Sequence, residues 1–284
     1  MSRPSIAALA LLVSALPSPA RAQDATDGFT WENATELSFV ATSGNASSST
    51  LGLKASLLGA GGANSFKVEL GGIRAESEFT TRTATGSADV YEVSETTRTE
   101  PTAESYFARA RYDRAMDGAF AFGGAGWERN TFAGIRNRFS VVAGVGRTWI
   151  EGAAGRLKTD VGGTYTIQKD VEPEPGADDA FAGVRVTLDA MRALSSSADL
   201  SSTLIIDQNV EEGGDVRADW VNSLAVSISE GLALKTSLQL LYDRDPSFIG
   251  VPLVDGAGTP TGVTVRTPGE KLDSVLTLTL VIKL

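Results

Sequence analysis

Residues 274–284, SVLTLTLVIKL, place Leu276, Leu278, Leu280, Ile282 and Leu284 on one side of an extended chain and Thr277, Thr279, Val281 and Lys283 on the other. A period of two marks a strand covered on one face, whereas a terminus without a structural task is usually frayed and polar. The same alternation recurs along most of the chain, and no stretch beyond residue 22 repeats apolar positions at helical spacing. The pattern predicts an all-β protein. Candidate strands cover 31–42, 46–58, 65–79, 103–115, 119–130, 138–150, 157–169, 180–191, 199–210, 217–229, 232–243 and 272–284, twelve in all.

The connections alternate in length. Those after even-numbered strands are tight: GAGGAN (59–64), MDG (116–118), EGAAGR (151–156), ALSSSA (193–198) and EG (230–231). Three of those after odd-numbered strands are long, 80–102, 170–179 and 244–271, with SGN at 43–45 a short exception. Tight turns and both termini thus share one end of the array. Membrane β-barrels have this asymmetry, and most of the strands reach the ~9–11 residues that a tilted strand needs to cross a bilayer. Soluble sandwich strands are typically only ~5–6 residues.

The two faces of the strands separate charge from apolar bulk. Tyr106, Ala108, Ala110 and Tyr112 oppose Arg109, Arg111 and Asp113; Trp220, Leu224 and Val226 oppose Asp219 and Ser223; Leu234, Leu238 and Tyr242 oppose Lys235, Gln239 and Asp243; Val184, Val186 and Leu188 oppose Arg185 and Asp189. Tyr106 and Tyr112 lie roughly 20 Å apart along a strand, close to the spacing of the aromatic girdles of a barrel. The expected lipid-facing and girdle residues are Tyr106, Tyr112, Trp220, Tyr242, Leu276, Leu278 and Leu280. The expected lumen charges are Arg109, Arg111, Lys158, Asp160, Arg185, Asp189, Asp207, Asp219, Lys235 and Asp243. At Gly71-Gly72 the alternation shifts as at a β-bulge. AFAFGGAGWERNTF (119–132) has aromatics on both parities, and Arg147 falls in phase with Val141, Val145 and Trp149, so these faces stay open.

Composition narrows the function. Arg3, the apolar run Ile6–Leu16 and Ala20-Arg21-Ala22 have the layout of a secretory signal peptide, which divides the chain into a cleaved segment, 1–22, and one barrel domain, 23–284. The chain has no cysteine, so stability comes from closure and packing rather than disulfides. With no histidine either, Ser-His-Asp, Cys-His and His-based metal chemistry are excluded, and a non-enzyme is expected. A net charge of −10 argues against a nucleic-acid partner. The acidic group Glu172, Glu174, Asp178 and Asp179 lacks EF-hand spacing and reads as a solvated loop, so no metal or cofactor is expected.

At GWERNTFAGIRNRFSVVAGVGRTW (126–149), together with ELSFVATSGNAS (36–47) and LLYDRDPS (240–247), the sequence resembles a bacterial domain-of-unknown-function family of salt-induced outer-membrane proteins. The resemblance implies an outer-membrane barrel of Gram-negative bacteria, expression linked to salt or envelope stress, and no catalytic residues. It makes the C-terminal segment the closing strand, paired with the first, and a recognition strand for the barrel-assembly machinery, here ending in Leu284 rather than an aromatic residue. The expectation is a transmembrane antiparallel up-and-down β-barrel of about twelve strands with periplasmic termini. It would be a monomer in contact with outer-membrane lipids and lipopolysaccharide, acting as a narrow passive channel for ions or small polar solutes. One alternative is a non-conducting structural or binding barrel that uses the long connections around Val90, Tyr91 and Phe248. Another is a soluble periplasmic sandwich or ligand-binding barrel with its apolar faces inward.

Overall fold

The computed structural model of the protein describes residues 28–42, 47–86, 91–131, 133–173, 179–257 and 259–283. The expected signal segment, the 43–45 turn, Val90, Glu174, Asp178 and Leu284 lie outside them. Fourteen strands follow one another: β1 (Thr30–Thr42), β2 (Ser47–Gly61), β3 (Asn64–Gly86), β4 (Tyr91–Met116), β5 (Ala119–Asn130), β6 (Ile135–Gly152), β7 (Gly155–Asp170), β8 (Ala180–Ala193), β9 (Ala198–Asn209), β10 (Val216–Ser229), β11 (Leu232–Asp243), β12 (Phe248–Val254), β13 (Pro260–Pro268) and β14 (Leu272–Lys283). Twelve of them form a closed antiparallel barrel in which each strand pairs with its sequence neighbour, and β12 and β13 form a separate two-stranded sheet.

Closure is made by the C-terminal segment. β14 pairs with β11 from Leu232↔Ile282 to Tyr242↔Leu272, and on its other edge with β1 from Ala34↔Lys283 to Leu37↔Leu280. The β11 pairing runs along nearly all of β14, whereas the β1 pairing covers Leu280 to Lys283, so the ring closes through a short seam at the tight-turn end.

Two side-chain contacts define the inside, because each joins strands that are not neighbours. Arg111 Nη2 on β4 donates to Asp160 Oδ2 on β7 at 2.8 Å, and Arg217 Nη1 on β10 donates to Gln168 Oε1 on β7 at 3.2 Å. Following the register from these residues sorts every strand. Leu276, Leu278 and Leu280 face outward and Thr277, Thr279 and Val281 inward; Leu276 is 75% exposed and Thr279 5%. The apolar faces point away from the barrel, so a soluble sandwich or ligand-binding barrel with those faces inward does not describe this chain.

Three features differ from the sequence expectation, and the structure assigns the β5 and Arg147 faces that the sequence left open. The 80–102 connection is largely strand: β3 leaves β2 after Glu78↔Ser47, and β3 and β4 continue together to Gly86↔Tyr91 as a free ribbon reaching roughly 25 Å further. A two-stranded ribbon satisfies its backbone without an apolar face, so its Thr- and Glu-rich sequence shows no alternation. The 244–271 connection contains β12 and β13. Gly71 and Gly72 stay in register, and the irregularity lies between Ala75 and Glu76; the glycines make room for the rings of Phe107 and Tyr106 opposite them. Over Phe120–Ala125 of β5 the phenylalanines point inward and the alanines outward: Phe120 and Phe122 are buried inside, while Ala121 and Ala125 share the outer face with Val145 and Val141. Arg147 belongs to that outer face, its guanidinium 4.7 Å from the centre of the Trp149 ring.

An inward phenylalanine explains Gly146 in the GVG of β6, and the close β7 backbone at Val161 and Gly162 explains Gly144. Phe120 pairs with Gly146 and Phe122 with Gly144, and a Cβ at Gly146 would run into the Phe120 ring. Gly146→Leu should therefore cost about 1–3 kcal/mol by overpacking, read from the urea midpoint of the detergent-folded barrel. Phe120→Ala in the same chain should restore part of that loss, the remainder coming from the Thr159 carbonyl of β7; equal stability of wild type and Gly146→Leu would contradict this packing.

Candidate functional site

The barrel interior holds the chemistry of this chain, and its polar groups fall into two tiers. Nearer the tight turns, Arg111 on β4 reaches Asp160 on β7 and Asp113 on its own strand, at 2.8 and 2.9 Å. Its guanidinium sits over Phe122 at 4.0 Å from the ring centre, while Lys158 approaches Phe120 at 5.9 Å. In the same half Arg156 donates to Asp189 at 2.7 Å, Thr203 donates to the other Asp189 oxygen at 3.1 Å, and Lys235 donates to Glu36 at 2.9 Å across β14. Nearer the long connections, Arg138 bridges Glu128 and Gln168, both at 2.7 Å, and Arg217 shares the same Gln168 oxygen. Arg185 holds Asp207 through two parallel hydrogen bonds of 2.8 and 2.9 Å, the fork-on-carboxylate geometry that makes such pairs strong. Gln239 donates to Asp219 at 2.8 Å.

Register puts Arg109, Arg111, Lys158, Asp160, Arg185, Asp189, Asp207, Asp219, Lys235 and Asp243 on the inner face. Tyr106, Tyr112, Trp220, Tyr242, Leu276, Leu278 and Leu280 fall on the outer face. The structure also brings into the network Glu36, Glu128, Arg138, Arg156, Gln168 and Arg217, whose partners sit on other strands and leave no signature in local alternation. Asp160 is the most enclosed of these charges, its side chain 5% exposed, with Oδ2 on Arg111 and Oδ1 without a hydrogen-bond partner.

The long-connection mouth of the barrel is crossed by chain. β11 and β14 stand on the opposite side of the ring from β5 and β6, yet Ser247, in the connection between β11 and β14, meets Gly134 in the β5–β6 turn. A Cβ built on Gly134 would lie 2.6 Å from Ser247 Cβ, and Gly134 has φ +72°, a backbone position that favours glycine. The strap is tethered along its course. Arg244 N donates to Val216 O at 3.0 Å, Gly269 N donates to Ser247 O at 3.1 Å, and the Glu172 carboxylate lies against Gly250 of β12. Beside the crossing point, Ile135 is only 4% exposed. Phe248, expected in a free loop, is half-buried at the start of β12. Glu172 and Asp179 are the described members of the acidic group, and among the described residues no three carboxylates gather to hold a metal.

Residues 35–256 match the model of a family described as a protein of unknown function, DUF481. The chain belongs to this family. No curated protein matches the DUF481 chain. Among solved structures it is similar to an outer-membrane channel from Pseudomonas putida F1 (10% identity, 94% of this chain and 99% of that one, TM-score 0.42) and to an anion-selective porin from Comamonas acidovorans (10%, 90% and 100%, 0.37). It is also similar to the translocator domain of the autotransporter NalP from Neisseria meningitidis (12%, 92% and 89%, 0.35).

The enclosed pair gives a direct test. Removing one partner of a buried ion pair leaves the other uncompensated, at a typical cost of about 3–5 kcal/mol. Asp160→Ala should lie near the lower figure, because Arg111 keeps Asp113, and Arg111→Met added to it should recover stability in a double-mutant cycle. Purely additive losses would show that the two side chains are not coupled.

Proposed function

We propose that this DUF481 protein is an outer-membrane β-barrel that acts as a narrow passive channel for ions or small polar solutes, with its long-connection mouth covered by the β11–β14 strap. The observation that carries this reading is the inverted distribution of side chains around a closed barrel. Leu224, Leu238, Val141 and Val186 stand exposed in a continuous outer belt, while the ion pairs lie within. Outer aromatics bound the belt at two heights, with Trp31, Phe66, Tyr112 and Trp149 toward the tight turns and Tyr106, Trp127, Tyr165 and Trp220 toward the long connections. An apolar belt of that extent is unstable in water and matches the hydrocarbon layer between two headgroup regions.

In this reading the tight turns and both termini face the periplasm, and β14 is the strand presented to the barrel-assembly machinery. Cations and anions alternate around the lumen wall, the arrangement by which charged linings pass small ions while binding none tightly. The salt-stress connection implied by the family resemblance has a physical counterpart. Added salt screens the half-exposed lumen pairs, so the passage loosens as ionic strength rises. No catalytic step is assigned to it.

The strap itself supports a second reading, a barrel that never conducts and serves as a structural or binding element. Because the chain lacks cysteine, Gly134→Cys with Ser247→Cys is a clean lock, and a small shift brings the two Cβ atoms to the ~3.8 Å of a disulfide. In planar bilayers the oxidised lock should suppress the current and reductant should restore it. Replacing 246–269 by a short turn should raise the unit conductance, and wild-type conductance should grow faster with salt than bulk conductivity does. A strap-less barrel that remains silent at high loading would favour the second reading over the channel.

A further inference from the structure

On the outer face of β5, β6 and β7 an apolar row is followed by a basic one. Trp127, Phe139 and Ile167 are register neighbours across the three strands, and all face outward. Two residues further toward the long connections stand Arg129 on β5 and Lys169 on β7, with Asn137 between them as the register partner of Lys169. Arg136, in the irregularity between Ile135 and Asn137, is exposed beside them. The spacing along a strand puts the cations roughly 7 Å beyond the apolar row. Trp127 Nε1 donates to Asn137 Oδ1 at 3.3 Å and ties the two rows together.

These cations are sparsely neutralised. Arg129 Nη2 lies 3.9 Å from Glu104 Oε2, a carboxylate that also faces Arg74 at 3.6 Å. Arg129 Nη1 donates to Arg136 O at 3.5 Å, and Arg136 Nη2 donates to Val171 O at 3.0 Å, contacts with carbonyls that leave both charges uncancelled. Lys169 has no carboxylate partner among the described residues. Among the described residues these three cations have one shared carboxylate within 4 Å, while the nearby Glu172 carboxylate lies against Gly250 of the strap, which leaves a local excess of positive charge in a chain of net charge −10. Below them Phe139, Val141 and Tyr165 continue an exposed apolar surface.

We propose that this ledge binds the phosphomonoester of an outer-leaflet glycolipid of the lipopolysaccharide type, with the acyl chains lying on the Phe139–Val141–Tyr165 wall. The inference rests on the membrane reading above and on the long-connection end facing outward. A phosphomonoester carries nearly two negative charges at neutral pH and offers three acceptor oxygens, which guanidinium groups engage in a planar fork. Three cations in a row suit that charge better than the single negative charge of a phosphodiester headgroup.

The test is native mass spectrometry of the folded barrel in detergent with lipid A, dephosphorylated lipid A or phosphatidylglycerol. Lipid A should remain bound. The Arg129→Gln/Arg136→Gln/Lys169→Gln variant should lose about a hundredfold in apparent affinity, since each cation at an anionic lipid surface contributes roughly fivefold. Dephosphorylated lipid A should bind the wild type as weakly as lipid A binds the variant, and Arg147→Gln, at the opposite rim, should bind lipid A normally. Unchanged binding by the triple variant, or phosphatidylglycerol held as tightly as lipid A, would overturn the proposal. Should the triple variant fail to show the heat-modifiable mobility of a folded barrel, Arg129→Gln and Lys169→Gln are read singly, each with a loss of about fivefold expected and no loss contradicting the site. Phosphate-dependent binding by a barrel that is silent in bilayers leaves the ledge standing while the channel fails; conductance with phosphate-independent binding does the reverse.

Discussion

A strand edge left open in hydrocarbon exposes a row of N–H and C=O groups with no water to bind them, at several kcal/mol for each. The closed ring is how this chain meets that constraint, with β11 pairing β14 along its length and β1 pairing its last four described residues. β14 must be regular to its end, because it closes the ring on one edge while completing the β11 pairing on the other. Its two faces then belong to different surroundings, which is why leucines at 276, 278 and 280 alternate with Thr277 and Thr279. The period of two at the C-terminus is a consequence of closure.

Closure also dictates what the charges do. Once the outer face is given over to apolar side chains, Arg, Lys, Asp and Glu within the belt have only the interior, and there they pair across strands. Phe120 and Phe122 act as inner platforms on which Arg111 rests, and Gly146 leaves space for Phe120. Arg147 and Arg129 show where the rule ends. Both face outward, and each stands at a rim beside a tryptophan, where a long side chain can lay its stem on apolar surface and keep its charge in the headgroup region. The Ser247 strap adds a third level by spanning the mouth from one wall to the other. The interior is thus crowded by its own ion pairs and covered at one end.

The barrel strands were legible because each carries one face that must be apolar, and period two survives even where the boundaries shift. The β3–β4 ribbon was not, since above Glu78 neither face meets an apolar medium. β12 and β13 were hidden for a similar reason, with Gly250, Pro252 and Gly256 punctuating a segment that reads as loop. The phase of β5 was illegible because the usual size pattern is inverted there, alanines outside and phenylalanines inside. Individual lumen charges could be named from parity, yet their partners could not. Arg111 and Asp160 are distant in sequence and separated by two strands in the wall, and Gly134 against Ser247 joins opposite sides of the ring. Such contacts are properties of closure, and no local window contains them.

The decisive measurement is the environment of outer and inner positions in native outer-membrane vesicles. In this cysteine-free chain, Leu278→Cys and Ser237→Cys each take a single spin label, and collision with oxygen, which concentrates in hydrocarbon, is compared with collision with a water-soluble nickel chelate. A lipid-facing belt requires the label at 278 to be oxygen-accessible and shielded from the chelate, and the label at 237 to show the opposite preference. A label at 278 that meets the chelate as freely as a surface loop does would contradict the membrane barrel.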